Sequence, residues 1–120
     1  MHKRILSTLL GPAVGLAGFA SLASAHHGWS GYDASKTVHL TGVIRESGYE
    51  HPHGHVKLEA EGKTWMVVLA PPSRMERRGL TQAMLAVGST ATVIGYPNRN
   101  DPGEMRAERI TVGDKSVELR

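Results

Sequence analysis

Seven histidines and no cysteine occur in this 120-residue chain, and five of the histidines stand in two short groups, "AHHGW" and "EHPHGH". In the second group His51, His53 and His55 recur at intervals of two. Residues two apart in an extended chain point to one side and lie roughly 6.6 Å apart. Imidazoles leaning together from such positions can share an ion at about 2.0 Å from each nitrogen. Pro52 stiffens the approach and Gly54 lets the backbone turn. Read without a function, the same stretch is a polar loop exposed to solvent. Lack of cysteine rules out thiolate, iron–sulfur and c-type haem sites, so any metal must be held by nitrogen, oxygen or thioether ligands.

The first group gains its meaning from what precedes it. His2, Lys3 and Arg4 form a basic start, residues 5–22 carry no charge, and Ala23-Ser24-Ala25 supplies small residues at alternate positions. This three-part pattern predicts a secretory leader over residues 1–25, cleaved after Ala25, and hence a periplasmic protein. Its glycines and Pro12 make the segment a mediocre anchor, so no stable membrane insertion is expected after cleavage. His26 would then begin the mature chain and offer both ring nitrogen and α-amine to one metal. The amine has a reference pKa of about 7.7 to 8.0, so copper can displace its proton near neutrality. The arrangement resembles the histidine brace of exported copper proteins, with His26 in the brace position and His27, His51, His53 or His55 as the distal ligand. Imidazole and amine donors suit Cu(II), Zn(II) and Ni(II), and the Irving–Williams order favours copper. Met66, Met75, Met84 and Met105 could add a soft ligand, but core packing explains each. Small copper carriers that bind Cu(I) use paired methionines on one strand, which this chain lacks.

Cleavage leaves 95 residues, enough for one domain. Without Lys3 and Arg4 the chain has twelve basic and eleven acidic residues, a near balance that argues against nucleic acid as a partner. There is no Ser-His-Asp spacing and no evident carboxylate pair, so an enzyme is not expected. A second cluster combines Arg74, Arg77, Arg78, Arg99, Arg106 and Arg109 with Glu76, Glu104 and Glu108. These charges are expected to pair with one another. The rival reading is a metal-free binding or scaffold module whose arginines take an anion or acidic glycan.

Positioning such side chains requires strands. "TVHLTGVIRES" alternates until Gly42, where a bulge or tight bend is expected. "HVKLEAE" sends Val56, Leu58 and Ala60 to one face; with "TWMVVLA" it forms a hairpin about the "EGK" turn. Pro71-Pro72 stops the third strand, and Ser73 with Glu76 has capping-box spacing for a short helix ending near Gly79. Thr81 is a candidate cap for a second turn, "QAMLA". "TATVIGY" and "EMRAERITV" supply the fourth and fifth strands, and "VEL" a short last segment. This order predicts an all-β fold: a small five-stranded barrel like the oligonucleotide/oligosaccharide-binding (OB) fold, with helix between strands 3 and 4. A split, non-closed sheet is the alternative. Residues 26–36 read as an extended arm and 37–120 as the barrel.

Taken in order, "HHGWSGYD", "LTGVI", "PHGH", "LAPPSRMERRGL", "GYPNR" and "EMRAERI" resemble a small exported proteobacterial family known only as domain of unknown function 6152, over about residues 26–120. The resemblance implies an exported barrel-like domain, often beside envelope or metal-related proteins, and no established activity. From the residues themselves the expected function is periplasmic binding of a divalent transition metal, copper foremost, with envelope metal-handling proteins as partners.

Overall fold

A computed structural model of the protein describes residues 28–120. The expected leader and both His26 and His27 lie outside the described residues. The strands follow the alternation in the sequence: β1 (Val38–Gly48), β2 (His55–Ala60), β3 (Lys63–Val68), β4 (Thr90–Pro97), β5 (Glu104–Val112) and β6 (Lys115–Glu118). In β2 Val56, Leu58 and Ala60 are buried, while His55, Lys57 and Glu59 face outward. The β2–β3 turn places Glu61 and Gly62 at φ 53° and 79°, the left-handed pair that two-residue hairpins favour.

β1 pairs antiparallel with β2 and β4, and β4 with β5. A parallel pairing of β3 with β5 closes the ring, so the result is an all-β, closed five-strand barrel and not a split sheet. β6 extends one edge by pairing with the end of β5. Leu58, Val67, Val93, Met105 and Ile110 fill the interior and are fully buried.

Three local expectations need correction. The β1 bulge falls between Ile44 and Glu46, not at Gly42. Gly42 instead marks a close approach of strands, since a Cβ there would overlap the Glu59 carbonyl. Helix α1 (Pro72–Arg77) has no capping box: Pro71 is the N-cap and no side chain caps it. Pro72 opens the helix, where its missing N–H would have no partner anyway. Glu76 instead accepts a hydrogen bond from the Tyr49 hydroxyl at 2.9 Å. The helix ends at Gly79 with φ 85°, and the Leu80 N–H donates to the Met75 carbonyl at 2.8 Å. A 3-10 turn follows (Gln82–Leu85), capped by Thr81 without a side-chain hydrogen bond. Leu85 enters the core and Met84 packs against it. Among the described residues no helix is long and apolar enough to cross a membrane.

The third correction concerns the arm. It is not extended throughout: Gly28–Gly31 forms a 3-10 turn and Tyr32 makes an isolated β-bridge to Asn98. Asp33 N–H donates to the Pro97 carbonyl and Arg99 N–H to the Gly31 carbonyl, both at 2.9 Å. The arm is thereby fastened to the end of β4 and the loop beyond it.

Candidate functional site

Register brings the site together on the outer face of the barrel. His55 stands opposite Val68, Val68 opposite Arg106 and Arg106 opposite Tyr96, which makes one row across β2, β3, β5 and β4. Met66 and Glu104 stand abreast beside it. The arm lies against this face, with the Trp29 ring edge-on to Tyr32 at 6.5 Å and to Tyr96 at 6.1 Å between centroids. Between arm and strands is an open pocket of about 360 Å³, lined by Gly28, Tyr32, His53, His55, Met66 and Arg106 together with Pro52, Gly54, Val68 and Glu104.

Of the three alternating histidines, two reach the pocket. His51 is exposed and does not line it. The alternation that would align all three needs extended chain, and regular strand begins only at His55. His53 and His55 are half-buried. His53 Nε2 lies 3.3 Å from Arg106 Nη2; because a guanidinium only donates, the ring nitrogen accepts there. His55 Nε2 lies 3.4 Å from Glu46 Oε2, and its ring rests over Gly48, where a Cβ would overlap it. Among the described residues no group of three or more His, Asp or Glu side chains is arranged to hold a metal ion. His53 and His55 are therefore an incomplete donor set by themselves. Gly28 lines the pocket with them, and His27, the residue before it in sequence, lies outside the described residues. Met66, one of the four methionines considered as soft ligands, also lines it, whereas Met75 and Met105 are fully buried in the core.

Arg106 is the unusual residue of the site. It is only 6 % exposed, and its Cζ lies 4.4 Å from the centroid of Trp29, against which Arg120 also stacks at 4.6 Å. Among the described residues its Nε has no hydrogen-bond partner. Burial, and then the charges of Arg74 and Arg120, push its pKa down, with Tyr32 opposing; the group still remains a cation. Glu104, on the same wall, accepts from the Tyr32 hydroxyl at 2.5 Å and from Asn98 Nδ2 at 3.0 Å. Burial first, then Glu104, raises the Tyr32 phenol above its ordinary pKa.

The expected pairing of loop arginines with loop glutamates is largely replaced by another pattern. Each tyrosine hydroxyl reaches a glutamate, Tyr32 reaching Glu104, Tyr49 Glu76 and Tyr96 Glu108, and the single Tyr49 O–H is shared with the Leu80 carbonyl at 2.5 Å. Arg74, Arg78 and Arg99 donate to main-chain carbonyls of Leu119, of Glu118 and Arg120, and of Ser30. Arg109 alone of the six pairs with a carboxylate, that of Glu118. Arg77 is exposed on α1. Phenols satisfy glutamates with no second charge to desolvate, and the arginines tie down the C-terminal strand and the arm.

Sequence reading missed Arg106 as a special member of its cluster, and missed Trp29 altogether. Alternation in "EMRAERI" does point Arg106 away from Met105 and Ala107. What buries it is the arm, a contact between residues 29 and 106 with no local signal.

Comparison with other proteins adds fold and family. No curated protein matches the chain. A crystal structure of TiaS in complex with an isoleucine tRNA and ATP is similar at 16 % identity and a TM-score of 0.51, covering 74 % of this chain. The likeness spans only 20 % of the TiaS chain and bears on the fold alone. Over residues 14–106 the sequence matches the family of unknown function DUF6152, and the chain belongs to that family.

Proposed function

We propose that the protein is a periplasmic, non-catalytic binder of a divalent transition metal, copper foremost, on an OB-like barrel released by cleavage of a leader over residues 1–25. His26, through its amine and ring, and His27 complete a donor set begun by His53 and His55, with Met66 beside them. One observation carries the reading: Gly28 sits on the same pocket wall as His53 and His55. A single peptide step of about 3.8 Å links its Cα to that of His27. Nitrogen donors without thiolate favour Cu(II), and Zn(II) or Ni(II) fit the same set less tightly or with other geometry. With Nε2 accepting from Arg106, His53 can take the metal only by giving up that hydrogen bond, since a neutral imidazole has one free lone pair. Envelope metal-handling proteins are the natural partners of such a carrier.

Calorimetry of Cu(II) into metal-stripped protein beginning at His26 tests this. One saturable site is expected, weakened at least tenfold by His53→Asn or His55→Asn and changed less than about twofold by His51→Asn. Equal losses at all three positions would point to a loose polar loop, and no saturable binding would refute the metal reading.

A further inference from the structure

We propose that the pocket under the arm binds a small molecule through a carboxylate or phosphate group seated on the Arg106 guanidinium. Burying a cation without a counter-ion is costly, and native proteins pair such charges. Arg106 is 6 % exposed, yet no Asp or Glu lies within ion-pair distance of it. All eleven acidic residues of the chain lie among the described residues, and the first 27 positions contain none. The chain thus has no further carboxylate side chain to offer. Among the described residues its nitrogens meet one acceptor, the ring of His53 at 3.3 Å, and Nε meets none.

The surroundings suit an anion of modest size. Arg74 and Arg120 act on Arg106 as like charges, so positive potential is concentrated where the carboxylate is missing. Gly28 approaches Nη1 closely, since a Cβ there would come to 3.4 Å of it. A pocket of about 360 Å³ is at the small end of ligand sites. Pro52, Met66 and Val68 on its wall fit a short carbon skeleton. Glu104 on the same wall repels a second negative charge, so the ligand carries its anionic group at one end. The planar fork of Arg106 suits carboxylate and phosphate alike.

This site needs no metal, and its test is run without one. Protein produced from the full-length chain, stripped with chelator, is titrated with sodium acetate and separately with sodium phosphate at constant ionic strength kept by chloride. The ¹⁵N-resolved signals of the Arg106 Nε–H and the Trp29 indole are followed. Saturable shifts with either probe are expected, and the tighter one names the anionic group. Arg106→Lys keeps the charge but loses the fork, and Val68→Phe fills the pocket while leaving Arg106 intact; each should weaken binding at least tenfold. Arg77→Gln, at an exposed arginine outside the pocket, should leave it unchanged. Absence of saturation with both probes, or saturation that survives both pocket variants, would overturn the proposal. Copper calorimetry reports on the metal reading separately, so failure of one does not imply failure of the other.

Discussion

A tyrosine hydroxyl bonded to a carboxylate is held protonated, because its phenolate would meet a negative charge. Tyr49 shows this in a titratable way: burial, then Glu76, push its pKa from 10.0 up to about 12, and Tyr32 and Tyr96 shift upward as well. Phenolate absorbance of the folded protein at pH 10 should therefore stay well below that of the unfolded chain. A folded-state pKa above the unfolded value stabilises fully below about pH 10 and loses its contribution as pH rises toward 12. Denaturant stability should fall across that window, and Tyr49→Phe should flatten part of the fall. At Gly48 the absent side chain makes room for the His55 ring. Gly48→Ala should displace that ring and weaken copper binding several-fold, measured beside a melt that checks folding.

Elements are positioned here by backbone contacts that admit no side chain as much as by apolar stripes. A Cβ at Gly42 would overlap the Glu59 carbonyl, while one at Gly31 meets nothing within 4 Å. Gly42→Ala should cost about 1–3 kcal/mol, the range for overpacking, and Gly31→Ala within about 0.5 kcal/mol, read from urea unfolding. Strand positions and inward faces were legible because alternation in "HVKLEAE" and "EMRAERITV" is local. The helix start was misplaced because Ser73 and Glu76 imitate a cap that Pro72 makes unnecessary. The bulge was misplaced because Gly42 serves strand crossing, a property of the β1–β2 pair and not of β1. Closure through the β3–β5 pairing joins Met66–Val68 to Glu104–Arg106, and nothing in either segment alone announces it. The same pairing sets Arg106 beside Val68 and His55, so the pocket was invisible to sequence reading even though His53 and His55 were picked out.

At the scale of the whole molecule, the arm joins barrel and site. Trp29 sits among Arg106, Arg120, Tyr32 and Tyr96, and Tyr32 bridges to Asn98. Trp29→Ala should cost about 1–3 kcal/mol through lost ring burial and cation–π contact, and should lower copper affinity by loosening the path from Gly28 to the pocket. Thermal melts with and without copper separate the two effects, since a ligand bound to the native state raises its melting temperature. If the arm serves the barrel only, the variant should lose stability and keep its copper affinity. If His26 and the pocket form one metal site, protein beginning at His26 and protein carrying one extra residue before it should bind copper differently. That addition keeps every side chain and moves only the amine. Electron paramagnetic resonance of the one-to-one Cu(II) complex should show nitrogen coupling that changes on extension, with affinity falling at least tenfold. Identical spectra and affinities for the two proteins would mean that the His26 amine is not a ligand.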